Sequence, residues 1–225
     1  MKLALFDLDH TLIPFDSGVA FTRFLVERGE LPAEIETGYI ERCRRYTSDG
    51  AAFDVVEVYR FLVGAIGRLA PRALADAMQA FEATLEQRVP MRTRALVHEH
   101  RKVGHLCGLV TATARFIAEP FARVLGVEHL MASEPALDER GQYSGELVGP
   151  ACFREHKRTH VERWLAGRGL AWDKVERSWF YSDSVHELSL LEAVSDPVVV
   201  DPDPQLAAIA QARGWRMLHL ADKPQ

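Results

Sequence analysis

Four short stretches place oxygen and nitrogen groups where apolar runs end. The first is "LALFDLDHT", in which Leu3–Phe6 runs straight into Asp7 and Asp9, with Thr11 close behind. Residues two apart in extended chain point to the same side, so the two carboxylates are brought together. They repel each other, and one pKa rises unless a metal or cation is present. The second is "LVTATARF", where Thr111 and Thr113 stand just before a helix. A hydroxyl and free backbone N–H groups at a helix N-terminus make an anion site, although alone the stretch reads as a plain cap. The third, "CFREHKRTH", holds Lys157 among other basic residues and alone reads as a solvated helix face. The fourth, "YSDSVHELSLL", puts Asp183 and Glu187 after another apolar run.

Assembled, these pieces describe one site. Strand ends carrying Asp7, Thr111 and Asp183 open on the same edge of a parallel sheet. There they bring together a carboxylate nucleophile, a phosphate-orienting hydroxyl, a cation and metal-binding acids. Oxygen ligands of this type suit Mg²⁺, which keeps several waters and uses one or two carboxylates plus a substrate phosphate. The ion and Lys157 would offset repulsion between an anionic substrate and an anionic nucleophile.

The elements that must position these residues read as alternating β and α units. Leu3–Phe6, Leu106–Val110, Trp179–Ser182, Val198–Val200 and Met217–Leu220 are nearly continuous apolar runs, as expected of parallel strands covered on both faces. Amphipathic segments at Ala114–Leu125, Thr159–Gly167 and Pro204–Arg213 separate them, with Gly214 as a helix stop. The pattern predicts a doubly wound α/β domain. From about Phe15 to Arg94 the periodicity is helical. Leu74, Met78, Phe81 and Leu85 share one helix face, and Val55, Tyr59, Leu62 and Ile66 another. Ser17 and Pro71 read as helix starts and Gly29 as a stop. An insert at that place lies over the carboxyl ends of the strands, where open α/β sheets bind ligands. We expect a core of residues 1–14 and 95–225 and a helical cap of residues 15–94. Gly141, Tyr143, Gly145 and Leu147 predict a small hairpin.

At 225 residues the chain fits one large domain or a core with an insertion. A formal net charge of −5 argues against a nucleic-acid binder, and no apolar run is long enough to span a membrane. The N-terminal apolar run, cut off by Asp7, is too short for a signal peptide. Cys43, Cys107 and Cys152 are odd in number and far apart, which suits neither a disulfide framework nor a zinc site; reduced thiols in a cytoplasm are expected. "HELS" at His186 lacks the second histidine of a zinc-protease helix. His98, His100 and His105 read as surface and strand-entry residues. Arg42, Arg44 and Arg45 read as a solvated basic cluster, with a substrate carboxylate or phosphate oxygen as the alternative use; Arg154 is open in the same way.

In this order the four motifs resemble those of the haloacid dehalogenase superfamily of phosphatases. "DLDHT" looks like its DxDxT motif, Thr111 its Ser/Thr motif, Lys157 its lysine and "SDSVHE" its terminal acidic motif. The helical insert resembles the C1-type cap of the phosphoserine phosphatase-like branch, and the C-terminal third looks most like subfamily IB hydrolases, which include histidinol-phosphate phosphatase-like members. The resemblance implies a Rossmann-like core and an Mg²⁺-dependent phosphomonoesterase. Asp7 would attack phosphorus and form an aspartyl-phosphate. Asp9 would protonate the leaving oxygen and then act as base on water. Asp7, the Asp9 carbonyl, Asp183 and Glu187 would serve the metal. Thr111, Ala112 and Lys157 would hold the phosphoryl group, and Asp16 would match a residue that contacts a substrate amine. Glu187 stands where the family usually has Asp. Ala112, Thr113 and Ala114 replace the Gly-Gly-Phe run of phosphoserine phosphatases, which argues against strict phosphoserine specificity and makes histidinol phosphate a candidate. A response-regulator-like module uses similar residues but lacks the cap and the DxD spacing on the first strand. A phospho-ligand-binding domain without turnover, or transfer to an alcohol in place of water, would use the same residues.

Overall fold

The computed structural model describes residues 1–48 and 53–220. Five of its strands were expected from their apolar runs: β1 (Lys2–Phe6), β2 (Leu106–Ala114), β6 (Arg177–Ser182), β7 (Asp196–Val200) and β8 (Arg216–Leu218). A sixth, β3 (His129–Ser133), was not foreseen, because its strand-like run is short and opens on a half-buried histidine. They form one parallel sheet in the order β3-β2-β1-β6-β7-β8. The sheet is doubly wound, as expected. Its first strand is central, and connections leave it in both directions. Such a reversal opens a crevice at the carboxyl ends of the middle strands.

The period-2 alternation of β1 divides two cores. Ala4 and Phe6 face one apolar cluster, and Leu3 and Leu5 face the other. Helices α5 (Met91–Lys102) and α6 (Arg115–Leu125) supply the first face, and α7 (Glu155–Ala166), α8 (Leu188–Leu191) and α9 (Pro204–Arg213) the second. Helix α7 begins four residues earlier than its apolar pattern suggested, which brings Lys157 into its first turn. Gly214, at φ 67°, ends α9 in the left-handed conformation that glycine adopts without penalty.

Residues 15–94 hold α1 (Ser17–Glu27), α2 (Ala33–Ser48), α3 (Val55–Ile66), α4 (Pro71–Arg88) and the first turn of α5, so position 94/95 falls inside one helix. These helices have no core of their own. Phe21 of α1, Phe81 of α4 and Phe116 and Phe121 of α6 meet edge to face, with centroids 5.0 to 6.4 Å apart. The expected hairpin forms from β4 (Pro135–Leu137) and β5 (Tyr143–Leu147) and packs on α3.

His100 is not a surface residue. It is buried, with its Nδ1 2.8 Å from Nδ1 of His105 and its Nε2 2.7 Å from the Tyr181 hydroxyl. Burial first, then His105 and Arg216, lower its pKa to about 4. This cluster lies at the amino end of β2, away from the crevice. Arg42 and Arg45 likewise meet Glu57 across the α2–α3 interface.

The hairpin seats on α3 only because Gly67 has no side chain, since a Cβ there would collide with the carbonyl oxygen of Tyr143. The Gly67 φ of −62° suits any residue, so Gly67→Ala isolates the steric effect. It should lower unfolding free energy in urea by about 1–3 kcal/mol, as overpacking does.

Candidate active site

Strand β1 ends in a tight loop built on one carbonyl. Leu8 O accepts from the N–H groups of Thr11, Leu12 and Ile13, and His10 takes a left-handed φ of 58° to allow it. Asp7 is held where the ladder ends, its N–H donating to Tyr181 O at 2.9 Å. The loop swings Thr11 back so that its hydroxyl donates to Asp183 Oδ1 at 3.0 Å. Asp7 and Asp183 thus meet across adjacent strands.

One ammonium faces this acid group. Lys157, 1% exposed, places Nζ 2.7 Å from Asp7 Oδ1 and 3.1 Å from Glu187 Oε1. Burial works against its charge, but Asp7 and Glu187 outweigh that and raise its pKa. Asp7 Oδ1 also accepts the Leu8 N–H at 2.8 Å, whereas Oδ2 accepts no hydrogen bond from the described residues. Burial pushes Asp183 up to about 7, helped by the charge of Asp7. Burial likewise pushes Glu187 up to about 8, against the pull of Lys157. The longer arm of Glu187 lets Oε1 reach the ammonium, and its Oε2 is buried with no partner among the described residues.

Asp9 points away from Lys157. Its Oδ1 accepts the Ser17 N–H at 2.7 Å and its Oδ2 the Thr113 hydroxyl at 2.8 Å. Burial and the charge of Asp16 raise its pKa to about 8. Asp16 caps α1, accepting the Val19 N–H at 2.7 Å, and burial raises its pKa too. Burial, helped by the charges of Asp16 and Asp9, raises the pKa values of Tyr39 and Cys43 of α2, and the Tyr39 hydroxyl lies against Gly18 at the start of α1. Thr111 is fully buried and its Oγ1 accepts the Thr113 N–H at 3.2 Å. Ala112 presents its carbonyl to Ser133 Oγ at 2.7 Å, so that carbonyl serves the fold.

The eight residues singled out from the motifs therefore gather at one sheet edge in two neighbouring groups. Three supports escaped sequence reasoning. Ser133 also accepts the Cys152 N–H at 3.0 Å, tying the loop before Lys157 to β2 and β3. Asp203 donates its N–H to Asp183 O and accepts that of Val185 at 2.7 Å, fixing the last acidic loop. Ser17 is the third. The sequence reads Ser17 only as a helix start, Asp203 before Pro204 carries a helix-cap signature that was not used, and Ser133 carries none.

Among the described residues no three His, Cys, Asp or Glu side chains form a ready-made metal cluster. The donor set is all oxygen, and it holds excess negative charge with one orphaned buried carboxylate oxygen. That chemistry fits a hard divalent cation that keeps its waters, and does not fit a structural zinc.

The comparisons agree with this geometry. The model of the haloacid dehalogenase-like hydrolase family matches residues 4–192. The chain belongs to that family. The histidinol-phosphatase of Neisseria meningitidis serogroup C is 32% identical over 220 residues, covering 97% of this chain and 98% of the relative. A protein of unknown function from Bordetella pertussis Tohama I has a solved structure with a TM-score of 0.91 at 39% identity, covering 98% of this chain and 99% of that one. A substrate-bound phosphoserine phosphatase shares the fold, with a TM-score of 0.66 at 14% identity over 92% of this chain and 89% of that one. This family member is a phosphatase. Among the described residues no helix is long and apolar enough to cross a membrane.

Replacing Lys157 by Met removes the one ammonium that bonds to these acids among the described residues, at a cost of about 3–5 kcal/mol at neutral pH. The raised carboxyls of Asp183 and Glu187 favour the protonated form in the fold, so their contribution is present at acid pH and lost as pH rises through 7 to 8. Lys157 opposes that loss. The Lys157→Met penalty in urea titrations should therefore grow from pH 5.5 to pH 8.5.

Proposed function

We propose that this phosphatase hydrolyses a small, amine-bearing phosphomonoester with Mg²⁺, through an aspartyl-phosphate on Asp7. The observation that carries the reading is the Asp7 carboxylate itself. Two donors hold its Oδ1 at the mouth of the crevice, and Oδ2 is left for phosphorus. In the first step Oδ2 attacks in line, the P–O bond to the leaving group breaks, and Asp9 gives that oxygen a proton. In the second, Asp9 takes a proton from water, which attacks the phosphoryl group and frees Asp7 as carboxylate. Lys157 and Thr111 neutralise and orient phosphoryl oxygens. Asp7, the Asp9 carbonyl, Asp183 and Glu187 are the residues that would hold Mg²⁺ or its waters. When bound, the ion would supply charge stabilisation for the phosphoryl oxygens in transfer.

The substrate class rests on Asp9 and Asp16. Two neighbouring buried carboxylates with raised pKa values favour a cation beside them, and a protonated amine or imidazolium on the leaving group supplies it. The likeness to a histidinol-phosphatase over nearly its whole length supports histidinol phosphate ahead of phosphoserine. Residues 15–94 act as the cap that reads the leaving group. The three free cysteines are consistent with a reducing cytoplasm. The net charge of −5 speaks against a nucleic-acid partner.

Phosphate release from histidinol phosphate, phosphoserine, sugar phosphates and nucleotides, with Mg²⁺ and then EDTA, tests the reading. Release should need both Mg²⁺ and Asp7, and Asp7→Asn should be inert; release that persists in Asp7→Asn or in EDTA would sink it. Asn caps a helix as well as Asp, so Asp16→Asn should fold normally. It should raise KM for the amine-bearing ester by about tenfold, the worth of one charge-assisted contact, and leave KM for a neutral alkyl phosphate within about twofold.

A further inference from the structure

Asp9 is gripped from both ends. The Ser17 N–H meets Oδ1 at 2.7 Å, the Thr113 hydroxyl meets Oδ2 at 2.8 Å, and the Ser17 hydroxyl lies 2.9 Å from that of Thr113. While Asp9 is ionised, the Thr113 hydroxyl proton goes to it and Ser17 Oγ donates to Thr113 in turn; when Asp9 carries a proton, the same chain can run the other way. Ser17 is fully buried, so no water competes for its hydroxyl. The Thr113 backbone is tied in turn, its N–H bonded to Thr111 Oγ1. The terminal torsion of an aspartate is otherwise broad, so an ungripped carboxyl at this place would rotate.

We infer that Thr113, backed by Ser17, is a positioning residue that aims the Asp9 carboxyl at the ester oxygen. Ser17 opens α1 and Thr113 lies near the end of β2, so Asp9 is aimed only while the first inserted helix is seated on the sheet. A hydroxyl suits the task because it donates to a carboxylate and accepts from a carboxylic acid, whereas an N–H only donates. A misaim of an ångström at a proton-transfer group costs about a hundredfold in rate.

The inference rests on the hydrolytic reading above, and its test separates the two. An alkyl ester needs a proton on its leaving oxygen, whereas p-nitrophenolate departs without one. First-turnover rates are compared, because the later water attack uses Asp9 for both esters. In Thr113→Val, release of alcohol from histidinol phosphate should slow about tenfold or more, within the range that general acid catalysis contributes. The first-turnover burst of nitrophenolate should slow far less, and Thr113→Ser should recover most of the alkyl-ester rate. Equal losses on both esters, no loss on the alkyl ester, or a Ser variant as slow as Val would overturn the inference. Wild-type enzyme inert toward both esters would overturn the hydrolytic reading instead. If Thr113→Val melts early, Ser17→Ala carries the same comparison and should show the same selective loss.

Discussion

One buried ammonium holds this site together. Lys157 bonds to Asp7 and Glu187, and Asp183 is packed beside Asp7, with burial pressing the Asp183 and Glu187 carboxyls toward their neutral forms. Charge in such surroundings is tolerated only when matched, and breaking a buried pair costs more than the pair contributes. The fold therefore delivers Lys157 with precision. Helix α7 starts on Arg154 at a positive φ of 50°, and the Cys152–Ser133–Ala112 hydrogen bonds anchor the loop ahead of it. Strain of that kind persists where the surroundings over-determine it, and here they do.

The remaining negative charge is a resource for chemistry. Asp7, Asp183 and Glu187 outnumber the ammonium that serves them, an all-oxygen excess whose chemistry fits a divalent ion. Asp9 and Asp16 lie on the other side, where their hydrogen-bond partners among the described residues are backbone N–H groups and a hydroxyl. The site thus has two anionic halves. In the proposed reaction one serves a metal and a phosphoryl group, the other whatever the phosphoryl group leaves behind.

Much of this was legible in the sequence because its signals are local. Apolar runs that end in acids mark strand ends, and the DxD spacing brings Asp7 and Asp9 to one edge; the two do not pair as extended chain would have them, because the loop after β1 turns Asp9 to Ser17 and Thr113. The central strands, α9 with its Gly stop, and the helices of the insert all followed from periodicity and caps. What was not legible depends on long-range contact. Strand β3 has too few apolar residues to stand out until β2 pairs with it. His100 looks like a surface residue until His105 and Tyr181 close over it. Ser17 and Ser133 are ordinary serines in the chain, and their partners lie up to 96 and 21 residues away. The boundary at 94/95 cuts α5, because helical periodicity says where a helix runs and not which layer it joins.

The central place of β1 carries a consequence for how the chain becomes a protein. Leu3 pairs with Leu106 and Lys2 with Arg177, so the strand that ends in Asp7 is synthesised long before the strands that flank it. The inserted helices α1–α4 rely on local hydrogen bonds and can form while the ribosome is still working. The sheet must wait for β6, far along the chain from β1, and such non-local pairing is intrinsically slow. Until then an apolar strand ending in two carboxylates stays open, and its acids, still solvated, have no reason to hold extra protons. The perturbed acidity of the crevice is in this sense the last property the molecule acquires, arriving only when Lys157 and β6 close over Asp7.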